Sequence, residues 1–85
     1  MTVVVPTPLR SYTRGEATVE ARGATLGAVL ADLERQFPGM RFRMIDEQDR
    51  VRQHIRFFVG GELAKSLEVP VGEQEVQIIC ALSGG

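Results

Sequence analysis

Residues 25–39, TLGAVLADLERQFPG, decide the fold of this chain. Leu26, Val29, Leu30, Leu33 and Phe37 recur at spacings of three and four, which puts them on one face of a helix. Thr25 stands just before them, where a side-chain hydroxyl accepts one of the orphan N–H groups of a first turn, and Pro38-Gly39 stops the pattern. Gly27 weakens that first turn. No other stretch reads clearly as helix, so the rest of the chain is read for strands that this helix covers.

On the N-terminal side, Val3, Val4 and Val5 form a β-branched run closed by Pro6 and Pro8, a first strand leading into a turn. Glu16 to Ala21 alternates modestly and reads as its hairpin partner, and Gly23 breaks the pattern ahead of the helix. On the C-terminal side, Arg41 to Ile45 reads as a short strand before the polar loop Asp46 to Arg50. His54 to Val59 is a firm strand with Ile55, Phe57 and Val59 on one side and Arg56 and Phe58 on the other, ended by Gly60-Gly61. Leu63, Leu67, Val69 and Val71 are isolated apolar anchors in a connection carrying Pro70 and Gly72, and Glu75 to Leu82 is the last strand. Strand, strand, helix, strand, connection, strand is the order of an α+β β-grasp: a mixed sheet of four to five strands with one main helix on one face. Its first and last strands can run parallel at the sheet centre, joined by a crossover. Burying the helix's apolar side chains contributes about 1.5 to 3 kcal/mol each before entropy is subtracted. Leu30→Ala or Leu33→Ala is therefore expected to destabilise by roughly 2 to 5 kcal/mol.

The chain's 85 residues make one small domain, residues 1–82, followed by a Ser-Gly-Gly tail at 83–85. A domain of this size buries only about 60 to 65% of its unfolded surface, which leaves no room for a large enclosed active site. The formal net charge of -1 gives no bulk attraction to nucleic acid or to an anionic membrane. No apolar stretch approaches a bilayer span and no secretory signal opens the chain, so a cytoplasmic protein is expected. One cysteine, Cys80, and one histidine, His54, provide neither an internal disulfide nor a closed zinc site, and no metal is expected.

The tail carries the chemistry. Two glycines lack Cβ atoms and form a thread slender enough for a narrow channel. The carboxylate at Gly85 is a poor electrophile until ATP converts it to an acyl-adenylate, after which a sulfur or nitrogen nucleophile displaces AMP. The plainer alternative is a frayed end, where small residues gather. Strand parity places Val76, Ile78, Cys80 and Leu82 with the core and turns Gln77, Ile79 and Ala81 outward, as it does Phe58. Cys80 is then better read as a small buried hydrophobe than as a second sulfur-transfer group. Arg41, Arg43, Arg50, Arg52 and Arg56 form a basic run, but Asp46, Glu47 and Asp49 interrupt it, and it reads as a solvated surface of mixed charge.

Pro6 to Glu34, PTPLRSYTRGEATVEARGATLGAVLADLE, with IRFFVGGELA at Ile55 to Ala64 and EVQIICALSGG at Glu75 to Gly85, resembles the ThiS/MoaD family of ubiquitin-like sulfur carriers over nearly the whole chain. Within it, PTPLRSYT followed by ATLGAVLADLE is most similar to the carriers that serve the thiocarboxylate route to cysteine. The resemblance implies a carrier that binds no cofactor of its own, not an enzyme. An E1-like adenylating enzyme would activate Gly85 with ATP, a sulfur donor would convert it to a thiocarboxylate, and a downstream enzyme would take the sulfur. In the cysteine route that enzyme is a pyridoxal-phosphate synthase, and a metal-dependent peptidase later releases cysteine. Gly84, Ser83 and Leu82 would thread the tail into these partners, while Phe58, Leu63, Ile79 and Val4 occupy the places of the family's exposed hydrophobic patch. A free monomer without nucleic-acid or membrane partners is implied. Three alternatives stay open: a carrier for molybdopterin, thiamine or a thiolated metabolite, a modifier joined through Gly85 to lysines, and a non-reactive interaction module.

Overall fold

Residues 1–81 are described by the computed structural model. Their strands are β1 (Thr2–Val4), β2 (Thr18–Glu20), β3 (Ile55–Val59), β4 (Glu62–Leu63) and β5 (Val76–Cys80), with helices α1 (Leu26–Gln36) and α2 (Met40–Met44) between β2 and β3. The strands form a sheet of order β2-β1-β5-β3-β4. β1 and β5 run parallel at its centre, in register Val3 with Val76 and Val4 with Gln77, and the neighbouring pairs are antiparallel. This is the β-grasp expected from the order of elements.

The helical stretch behaves as its spacing predicts. Leu26, Val29, Leu30 and Leu33 are buried, Phe37 packs partly against them, and Thr25 Oγ1 accepts a hydrogen bond from Ala28 N–H at 3.2 Å. The remaining N–H groups at the start of α1 are met by the connection that follows β4: Leu26 donates to Val69 C=O and Gly27 to Leu67 C=O. Leu67, Val69 and the fully buried Val71 are therefore anchors that tie this connection under the helix. At Gly23 an added Cβ would lie 2.5 Å from Val29 N, so any other residue there forces the turn into α1 to shift.

Arg41 to Ile45 is not a strand. Met40 and Met44, one helical turn apart, are fully buried, and Phe42 between them is 56% exposed. The residues MRFRMI satisfy both a period of two and a period of four, and the helical period wins because Gly39, at φ +96°, reverses the chain straight out of α1. The carboxylate of Glu34 completes the corner by accepting from Gly39 N–H at 2.9 Å and Arg41 N–H at 3.0 Å. β4 was not anticipated either: two residues after a glycine turn are enough to pair with the end of β3.

Candidate functional site

The outer face of the sheet, away from α1, is built by register. Thr18, Val4, Gln77, Phe58 and Leu63 lie side by side across all five strands, one from each. The next row toward the end of β5 pairs Arg56 with Ile79. The sequence-predicted patch residues Val4, Phe58, Leu63 and Ile79 thus fall on one face. Val4, Phe58 and Ile79 are half-buried and Leu63 is 48% exposed. Their row is not wholly apolar, because Gln77 stands between Val4 and Phe58. Leu63, read from sequence as an anchor of the connection, reaches this face only through its pairing with Phe58.

The inner face shows the same parity reversed. Val76 and Ile78 are buried opposite Val59 and Phe57. Cys80 faces Ile55 at the margin of the core, half-buried, and burial pushes its thiol above the usual range. A thiol held neutral is a weak nucleophile, in keeping with its reading as a small hydrophobe.

β5 is held to β3 over its whole length: Gly60 N–H donates to Glu75 C=O at one end, and Ala81 N–H donates to His54 C=O at 2.7 Å at the other. The central strand is thereby a rigid stem up to Ala81. Leu82, Ser83, Gly84 and Gly85, to which the sequence assigned the tail chemistry, lie outside the described residues. Beside the stem's end is a groove of about 390 Å³ lined by Pro8, Phe42, Arg43, Arg52, His54 and Cys80 among others. Arg52 lies over the Phe42 ring at 4.5 Å and donates from Nε to Phe42 C=O, which fixes α2 against the start of β3. Sequence reasoning missed this groove, because it depends on α2 being a helix. Among the described residues no cluster of three or more His, Cys, Asp or Glu side chains could hold a metal ion, and no helix is long and apolar enough to cross a membrane.

A small mixed sheet with its central parallel strand leading to a C-terminal stem defines a ubiquitin-like β-grasp protein. Residues 3–85 match the ThiS family, and the chain belongs to that family. It is 34% identical over 91 aligned positions to the sulfur carrier protein CysO of Mycobacterium tuberculosis, an alignment taking in 100% of this chain and 98% of that protein. The crystal structure of Mycobacterium tuberculosis CysO matches with a TM-score of 0.89 at 32% identity, covering 95% of this chain and 98% of that one. A chain of the Amycolatopsis orientalis BexX/CysO complex matches at 0.90 and 34% identity, covering 99% and 98%. The crystal structure of the small archaeal modifier protein SAMP1 from Haloferax volcanii matches at 0.76 and 25% identity, covering 99% and 97%. The protein is thus a homologue of sulfur carriers, which are not themselves enzymes.

Proposed function

We propose that this protein carries sulfur as a thiocarboxylate on Gly85 and delivers it to a biosynthetic enzyme, in a route that forms cysteine. The reading rests on one observation above all: likeness to CysO sulfur carriers runs through 100% of the chain, and the family match reaches Gly85. The chemistry proceeds in two balanced steps. The Gly85 carboxylate attacks the α-phosphorus of ATP on an adenylating enzyme, releasing pyrophosphate and leaving an acyl-adenylate. A sulfur nucleophile then displaces AMP, so that one carboxylate oxygen leaves with AMP and one sulfur takes its place. Sulfur in this form is softer and more nucleophilic than the oxygen it replaces, and it travels bound to protein.

Each part of the chain has a task in this reading. The β5 stem fixes where the tail begins, and Gly84 and Gly85 pass where a Cβ would not. Leu82 and Ser83 lead into the partner's channel. Val4, Phe58, Leu63 and Ile79 give the partner an apolar surface on which to dock. One solved relative is in a BexX/CysO complex, which supports docking by a separate protein. The pyridoxal-phosphate synthase and the metal-dependent peptidase are the further partners this route requires.

A second reading is favoured by the likeness to SAMP1, named a modifier protein: the same adenylate captured by a lysine amine would join Gly85 to other proteins. Intact mass after incubation with the adenylating enzyme encoded in the same genome, ATP and a sulfide source separates the two. The expected product differs from the starting chain by one oxygen-to-sulfur exchange, and removing Gly85 abolishes it. Lysine adducts without terminal exchange would establish the modifier. A chain lacking Gly85 that still gained sulfur at its end would sink both.

A further inference from the structure

The near-zero net charge conceals a sorting of charge along the strands. At the end where β1 and β3 meet the start of β5, Glu20 stands opposite Thr2, Glu62 opposite Val59, and Glu75 immediately precedes β5, while Glu73 lines a groove with Glu20. The N-terminal ammonium, 3.6 Å from Glu20, and Arg22 partly offset them. At the other end, where β5 runs out to Ala81, arginines gather. The groove beside Ala81 carries Arg43 and Arg52, and the groove on the other flank of β5 carries Arg10. Neither has an aspartate or glutamate among its described lining residues.

Two of the three interrupting acids of the loop are engaged by other arginines. Asp49 pairs with Arg41 at 3.2 Å and Asp46 with Arg50 at 3.9 Å, so the run of five arginines divides into two that are paired and three that are not. Asp46 feels the charge of Arg52 but stands outside ion-pair distance of it. Among the described residues, Arg10, Arg43, Arg52 and Arg56 have no ion-pair partner. Arg52 and Arg56 are instead held by backbone carbonyls: Arg52 Nε donates to Phe42 C=O, and Arg56 Nη1 donates to Gln53 C=O at 2.9 Å and Ile55 C=O at 2.7 Å. Such bonds aim a guanidinium while leaving its charge unneutralised.

We propose that Arg43, Arg52 and Arg56, with Arg10 on the opposite flank, form a cationic rim around the root of the tail that docks on carboxylates surrounding the tail channel of the adenylating enzyme. The inference rests on the reading of Gly85 as the loaded group and adds the chemistry of the surface that receives it. The rim adjoins the apolar face through the Arg56–Ile79 pair, so patch and rim form one continuous surface. Cations gathered at the tail end also turn that end first toward an acidic site, which raises the rate of productive encounter.

The test compares wild type with Arg43→Glu/Arg56→Glu and with Glu73→Gln at the opposite end, each verified as folded by its melting curve. The measurements are kcat and KM for the carrier in adenylation by the genome-encoded adenylating enzyme, in low and high sodium chloride. The rim predicts a KM raised about tenfold or more in the double variant with kcat changed less than about twofold, and a wild-type KM that rises with salt while that of the variant does not. Arg52→Gln, which removes one charge without reversing it, gives a smaller increase in KM, and Glu73→Gln gives none. Equal KM values for wild type and double variant, insensitive to salt, overturn the rim. So does a double variant that keeps its KM but loses binding to a short single-stranded RNA, since the cations would then serve nucleic acid. Failure of wild type to be adenylated at all refutes the proposed function instead, and the two failures are thereby distinguishable.

Discussion

On the inner face of the sheet Val3, Val76, Ile78, Phe57 and Val59 are at most 5% exposed against α1, whereas on the outer face Leu63 is 48% exposed and Val4, Phe58 and Ile79 remain half open. The two faces alternate residue by residue along the same strands, so Phe57 and Phe58 are neighbours in sequence and opposites in environment. The inner face is explained by folding. The outer apolar side chains are covered by no element among the described residues, and folding alone does not account for them.

The sharpest way to break this contrast is to truncate each phenylalanine. Phe57→Ala is expected to lose about 3 to 5 kcal/mol of stability, while Phe58→Ala loses roughly 1 kcal/mol or less, both read from urea unfolding midpoints. Similar losses at the two positions would remove the distinction between faces. Next in size is Gly23→Ala, which forces a Cβ against the backbone of α1 and should cost about 1 to 3 kcal/mol without touching the outer face, seen as a lower melting temperature with unchanged adenylation once folded. Ile79→Asp sharpens the comparison from the other side: stability falls by about 1 kcal/mol, and affinity for the adenylating enzyme drops in a titration calorimetry experiment. Unfolding of that variant would reassign Ile79 to the core.

The smallest effect concerns the corner that orients α2. Glu34 is held below its ordinary carboxylate range by hydrogen bonds from Gly39 N–H and Arg41 N–H, with the Arg41 charge adding to them. A carboxyl whose folded pKa is depressed stabilises the protein above its unfolded pKa, and that stability is lost as pH falls through the folded value. Glu34→Gln should therefore melt lower than wild type at neutral pH, and the gap should close as the solution is acidified below the ordinary carboxylate range. A gap independent of pH would show that geometry, not charge, makes the corner.

Much of this was legible in the sequence because single-period patterns leave no choice. Residues 26–37 fit a helix alone, and Ile55 to Val59 and Val76 to Cys80 fit strands whose parity separates Phe57 from Phe58 and Ile78 from Ile79. The strand expected at Arg41 to Ile45 failed because alternation and a four-residue repeat coexist in MRFRMI, and only the left-handed Gly39 decides between them. Leu63 was read twice, as anchor and as patch, and the register with Phe58 leaves only the second. The charge sorting was illegible for a different reason: which of five arginines meets an aspartate depends on a loop whose path no periodicity records.

The middle strand of the sheet is the last of the five to be synthesised. Until β5 arrives, β1 with its hairpin partner and β3 with its own have no common neighbour, so a growing polypeptide has two half-sheets and no closed core. Completion of the body is thus timed to the emergence of the segment that leads into Ser83-Gly84-Gly85. A polypeptide cut short before β5 therefore lacks the strand that joins its two halves and is left open to proteolysis.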